Sequence, residues 1–320
     1  MNRRTKGALL TLLGGICWGL SGSCGQFLFR NEGMTTNWLV PIRLGCAGIV
    51  LLAFSMFRYG RTSIIAPWQE KQDRVDLLIY GILGVSCCQY LYFLTIQLSS
   101  AGIATILQDL SPVMILAATC ILTHRTPSKL EIFSIMLAFI GVILITTHGS
   151  FSNLAVPAEA ILTGCVSAVC VTIYNMEPAR IMKKYPVSVL QGWAFMLGSV
   201  LFSIIFQPWN VDYTPSLIGI LGIIFVVMIG NVLAFTAYMK GVSMIGPELG
   251  ILYGFSEPVT AAVITTLFMG SVFTIWDALG FGAVFAMLAL ISYGEKRQAA
   301  QQVKNEKKPE YQSGFSSGGK

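Results

Sequence analysis

Ten apolar stretches, each long enough to cross a bilayer, take up almost the whole chain. A helix needs about 20 mostly apolar residues to span a ~30 Å hydrocarbon layer. The stretches cover residues 7–29, 36–57, 76–96, 101–122, 128–147, 156–176, 187–206, 215–239, 248–269 and 273–293. Within lipid, only helices and closed barrels satisfy every backbone amide and carbonyl. Strand-like alternation is missing from these stretches, so the chain is predicted to be all-α, a polytopic bundle of ten transmembrane helices. Charged residues make up 11% of the 320, against roughly a quarter in a soluble domain. That is too few to clothe a water-facing surface, which excludes a soluble enzyme, a secreted disulfide scaffold and a disordered protein.

The basic residues orient the helices. Of 21 Lys and Arg, 19 fall in alternate connections if the N-terminus is cytoplasmic; Arg30 lies outside and Arg43 within a span. This asymmetry predicts both termini in the cytoplasm, with loops near 31–35, 97–100, 148–155, 207–214 and 270–272 on the other side. The net charge of +6 therefore reflects membrane orientation and not a nucleic-acid surface. Arg3, Arg4 and Lys6 ahead of an apolar run imitate a signal peptide. The run is longer than such a segment needs, and Ser21-Gly22-Ser23-Cys24 is a poor lipoprotein site, so the first span is expected to be retained. Residues 294–320 are polar and are expected to form a disordered cytoplasmic tail.

The eight cysteines all lie in apolar runs without a C-x-x-C pair, which predicts neither a disulfide framework nor a zinc site. The two histidines, His124 and His148, sit near helix ends. No metal and no cofactor is expected, and no G-x-x-x-x-G-K-[ST] loop is present to bind a nucleotide.

The chain repeats itself. An offset of 146 superposes Gly84 on Gly230, Tyr92 on Tyr238, Pro112-Val113 on Pro258-Val259, Thr119 on Thr265, Phe139 on Phe285 and Leu144-Ile145 on Leu290-Ile291; an offset of 153 superposes Cys17 on Cys170 and Gly45 on Gly198. Each half, 7–148 and 155–293, holds five spans. Five is odd, so the halves must lie upside down to one another, an arrangement that places a solute site between them near the midplane. Ser99-Ser100-Ala101-Gly102-Ile103-Ala104 with Leu110-Ser111-Pro112, the matching Gly241 to Pro247 with Ser256-Glu257-Pro258-Val259, and Cys17-Trp18-Gly19 resemble the two EamA domains of the drug/metabolite transporter superfamily. The resemblance spans about residues 7–293 and implies a ten-helix carrier of small metabolites, often amino acids or related compounds, working by alternating access. This chain departs from the family pattern at the ends of the fourth and ninth spans. It carries Thr123-His124 and Met269-Gly270-Ser271 where a Gly-Glu pair is common, so a gating role for that glutamate does not carry over.

Charges inside lipid are costly and point to function. Arg43 and Asp109 lie at the same depth, ~10–12 Å from the outer end of their spans. Equal depth lets them pair, either as a structural link between the second and fourth helices or as a pair that a charged solute or a proton separates; the remaining reading is that they do not meet. Glu257 has no evident partner. At its depth it is either a neutral hydrogen-bond donor or a proton-coupling group. Pro112 and Pro258 free the carbonyls of Gln108 and Gly254, giving either packing kinks or bends that line a cavity. Gly15 and Gly19, and Gly246, Gly250 and Gly254, read as close-packing ridges. Trp18, Gln89, Tyr90, Tyr92, Tyr174, Asn175, Asn231, Tyr238 and Tyr253 complete a lining suited to an amphipathic solute.

These features predict a secondary transporter for a small molecule, with export of an amino acid or derivative favoured over nucleotide-sugar exchange. The expected partners are the solute, the lipid bilayer and, as an open option, protons; the sequence leaves the oligomeric state open. The alternatives are an intramembrane enzyme, conceivable on Asp109 and Glu257, and a non-transporting receptor or structural protein.

Overall fold

The structure, a computed structural model, describes residues 3–149, 155–176, 180–245, 250 and 253–306, with side chains given up to residue 294. Nine described helices are long and apolar enough to span a membrane. In chain order they are α1 (Arg3–Asn31), α2 (Thr36–Tyr59), α3 (Lys71–Leu98), α4 (Ala101–Leu122), α5 (Lys129–Thr147), α6 (Ala158–Met176), α7 (Val187–Phe206), α8 (Leu217–Ile245) and the last, α10 (Ile275–Glu306). Between α8 and α10 lies the shorter α9 (Ser256–Met269). The ninth span was expected over 248–269; Gly246 and much of that span's start lie outside the described residues.

Helix ends follow local chemistry. The side chains of Thr35, Ser100, Ser128 and Ser216 accept from backbone amides in the first turns of α2, α4, α5 and α8, supplying partners for amides the helix leaves free. Ser128 and Glu131 form a reciprocal capping box. The α10 helix continues to Glu306, past the boundary at 294 read from polarity. Residues 295–306 are rich in Glu, Lys, Arg, Gln and Ala, which are strong helix formers. Residues 307–320 lie outside the described residues.

The packing has an approximate twofold relation between halves. The α1 helix packs on α8 and α9, and its counterpart α6 packs on α3 and α4. The α2 helix pairs with its own counterpart α7, and α5 with α10. Two further features obey the same relation. Wide π-helical turns interrupt α3 at Ile79–Ser86 and α8 at Val226–Leu233. Close approach occurs beside each: a Cβ added to Gly84 would come 2.6 Å from the Tyr174 Cβ, and one added to Gly230 would come 2.6 Å from the Ser21 Cβ. Ser21 and Tyr174 are themselves repeat equivalents at the 153 offset.

The bundle has a basic end, carrying the start of α1 and the 58–74 and 180–185 connections, and an opposite end. At the basic end, Asp73, fully buried, meets Arg180 at 2.6 Å, Lys184 at 3.2 Å and the Tyr185 hydroxyl at 2.6 Å. Asp76 also meets Arg180, at 2.7 Å. These contacts tie the first half to the second. Burial, then the Asp73 carboxylate, push the Tyr185 phenol up to about 12, so it keeps the proton it donates. Outward faces are apolar: Ile121, Phe139 and Leu217 are among many large side chains left exposed, as lipid solvation requires.

Candidate functional site

Helix breaks at equivalent points of the two halves build the site. In α4 the helix stops at Gln108 and restarts at Ser111, one residue before Pro112. In the second half a turn at Phe255 precedes a restart at Ser256, two residues before Pro258. Asp109 and Phe255 are equivalent under the 146 offset. A proline cannot donate to the carbonyl four residues back, and each break falls just after that carbonyl. Nearby, the Ser256 hydroxyl donates to Leu12 O at 3.1 Å and Tyr253 O at 2.8 Å.

Between the breaks lies a cavity of about 430 Å³. Among the residues read from the sequence, Trp18, Arg43, Gln89, Tyr92, Gln108, Asp109, Pro112, Tyr174, Asn175, Asn231, Tyr238 and Glu257 all line it. Tyr90, Tyr253 and Pro258 do not. Tyr90 turns away from Gln89 by one helical step, donates to Asn37 Oδ1 at 2.7 Å and stacks on Phe206. Tyr253 is more than a third exposed, and Pro258 is buried in packing.

The ion pair expected between Arg43 and Asp109 is not formed. Arg43, 1% exposed, instead donates from Nη2 to Gln89 Oε1 and lies with its guanidinium carbon 3.6 Å from the Phe93 ring centroid. Gln89 and Phe93 stand four residues apart on one face of α3, so equal depth brought Arg43 to a neutral acceptor and an aromatic face. A desolvated cation–π contact contributes up to about 2 kcal/mol, but neither neighbour cancels the charge.

Three buried polar atoms on this cavity have no hydrogen-bond partner: Arg43 Nε, Asp109 Oδ2 and Asn231 Nδ2. They come from both halves. An unpaired buried polar group typically costs about 1–3 kcal/mol, so such a set fits a site whose bonds are completed by a solute. Glu257, expected to stand alone, shares this cavity with Asp109 and with Tyr92, whose hydroxyl sits 2.9 Å from Thr105 Oγ1. Trp18 and Tyr238 add an aromatic wall, with ring centroids 4.9 Å apart.

Several lining residues were not read from the sequence. Phe93 gave no signal, because one phenylalanine in an apolar run looks like any other. Gln191 did give one, an amide inside the seventh span; Tyr80 donates to it at 2.6 Å across the wall. The lining reaches Met182, Val187 and Met239 toward the basic end. At the opposite end side chains close the bundle: Gln26 accepts from Ala101 N at 2.7 Å, Gln97 from Thr36 N at 2.6 Å, and Arg30 donates to Ser99 O at 3.0 Å.

Comparison with known proteins adds to this geometry. The profile described as the EamA-like transporter family matches residues 5–147 and again 158–293. The uncharacterized inner membrane transporter YicL of Salmonella typhimurium is 31% identical over 93% of this chain and 99% of its own length. The threonine/homoserine exporter RhtA of Escherichia coli is 25% identical over 78% of this chain and 82% of its own. One solved crystal structure shares the fold, with a TM-score of 0.60 at 16% identity, over 91% of this chain and 99% of that one.

Proposed function

This chain belongs to the EamA-like transporter family, and from that premise we propose that it exports a small zwitterionic, amphipathic solute, an amino acid or derivative, by alternating access. The observation that carries this reading is the set of unpartnered atoms on one cavity. A solute carboxylate suits Arg43 Nε and Asn231 Nδ2. Its ammonium suits Asp109 Oδ2, and its apolar body suits Trp18, Tyr238 and the other rings. A nucleotide sugar, with two phosphates, would meet, among the described residues of the lining, one cation and two carboxyl groups. The relation to RhtA, named for threonine and homoserine, agrees in substrate class.

The 19 of 21 basic residues argue that the basic end, with both termini, is cytoplasmic. The cavity then faces inward, where an exporter loads. Glu257, beside Tyr92 and Asp109, is the group that couples transport to protons. Reconstituted vesicles loaded with a mixture of labelled amino acids test the substrate reading, with exchange of one or a few zwitterionic amino acids as the expected result. Exchange of a polyanionic solute in their place overturns it. Met182→Cys tests orientation: a membrane-impermeant thiol reagent should reach it from the cytoplasmic side, and labelling from outside intact cells defeats the assignment.

A further inference from the structure

A second cavity, about 220 Å³, opens at the basic end between α4, α5 and α10. It is no part of the central site, yet the two are contiguous: Pro112, Ile115 and Leu288 line both. Its walls are mainly aliphatic, with Leu116, Leu130 and Ile291 among them. Its mouth carries Arg125 and Glu131, locked to each other by two hydrogen bonds of 2.9 and 2.8 Å, so the crevice bears no net charge from that pair. Liquid water takes up about 30 Å³ per molecule, which leaves room here for a solute the size of a small amino acid.

One polar group in this crevice is unaccounted for. Ser292, 5% exposed, has a buried hydroxyl without a hydrogen-bond partner. Serines and threonines inside helices commonly satisfy themselves on the carbonyl four residues back. On the facing walls Ser134 does so with Leu130 O at 2.9 Å and Thr119 with Ile115 O at 2.8 Å. Ser292 does not, and its Oγ is left buried and unpartnered in the wall of the crevice.

We propose that this crevice is a second binding site, where an aliphatic zwitterionic solute docks from the cytoplasmic side before passing between Ile115 and Leu288 into the central cavity. The proposal rests on the transport reading above. The aliphatic walls take the solute's side chain, and the Ser292 hydroxyl bonds one of its polar ends. A neutral mouth fits a zwitterion better than an anionic lipid headgroup, for which a cluster of unpaired basic side chains would be expected.

Leucine is the probe, and the test reads protection of a single cysteine. In a background free of the native cysteines, Thr119→Cys reports on the crevice and Asn175→Cys, exposed in the central cavity, reports on the main site. A sulfonate-bearing methanethiosulfonate reagent is applied to inside-out vesicles. Thr119→Cys should react from that side, and leucine at about ten times its dissociation constant should slow the reaction roughly tenfold, since only the free site reacts. The same slowing should persist with Glu257→Gln added, because the crevice binds on its own, and should be lost with Ser292→Ala added, because the hydroxyl is gone. Protection of Asn175→Cys without protection of Thr119→Cys would overturn the second site and leave the central reading standing. Protection of neither would remove leucine-like solutes from both. A Thr119→Cys that no aqueous reagent reaches, or that short-chain phospholipid protects while leucine does not, also overturns the proposal. Leu290→Cys, on another wall of the crevice, repeats the measurement if Thr119→Cys fails to fold.

Discussion

Arg43 is held against Phe93, its guanidinium carbon 3.6 Å from the ring centroid, while Asp109, the carboxylate at matching depth, keeps an unpartnered oxygen on the same cavity. A cation placed this way is oriented without being neutralised, which leaves its charge for a solute.

Arg43→Lys should therefore weaken transport while leaving expression intact. The ammonium loses the planar stack on Phe93 and the fork geometry. A loss of ~1–2 kcal/mol corresponds to a rise in KM of about 5- to 30-fold. Adding Asp109→Ala to Arg43→Ala should restore neither expression nor transport, because groups that are not partners do not compensate each other. Recovery in the double variant would reinstate the direct ion pair.

Glu257→Gln keeps the size of the side chain and much of its hydrogen-bonding capacity, but it cannot ionise. The variant should fold normally and lose the dependence of transport on an imposed pH gradient. Fluorescent reporting of vesicle pH alongside solute flux makes the measurement. Wild-type rates with an unchanged pH response would make Glu257 a structural residue.

Gly84→Ala and Gly230→Ala should each lower the melting temperature of the detergent-purified protein. At either position the new methyl would come 2.6 Å from a Cβ on the facing helix, and overpacking of this kind costs about 1–3 kcal/mol. Gly282→Ala is the control, since its Cβ would meet nothing within 4 Å. Equal melting temperatures for all three would show that the π-helical segments yield freely.

Asp73→Asn should destabilise the contact between halves at the basic end. The loss comes from removing the buried carboxylate charge that both cations share, and it is softened because Arg180 and Lys184 remain partly exposed to solvent. The Tyr185 phenol, raised to about 12 from an ordinary value near 10, gives this contact a defined alkaline limit. A raised value means its share of stability is complete below about pH 10 and lost as pH rises toward 12. Tyr185→Phe should remove that alkaline loss in thermal melts across pH, and an unchanged profile would assign it elsewhere.

The all-α architecture and the inverted duplication were legible in the sequence, because a bilayer permits few solutions. Apolar length sets span number, and an odd number of spans per repeat sets inversion. The proline positions located both helix breaks to within a few residues, since a missing amide acts on a fixed neighbour along the same chain. Most of the cavity lining was legible for a related reason. Polar residues inside lipid are expensive wherever they point, so Gln89, Asn175 and Asn231 stand out on cost alone.

What depended on tertiary structure is which of those residues meet. Depth along a helix is one coordinate; rotation about the axis and the identity of the neighbouring helix are two more, and the sequence does not fix either. Arg43 and Asp109 matched in depth but not in partner, because Gln89 and Phe93 present an acceptor and a ring to Arg43 from α3. Tyr90, one residue from Gln89, faces away. The π-helical turns in α3 and α8 carry no sequence signature as distinct as a proline, yet they change the rotation of everything beyond them. Pairing is decided by that rotation and by close approach at Gly84 and Gly230, so it appears only once the helices are packed.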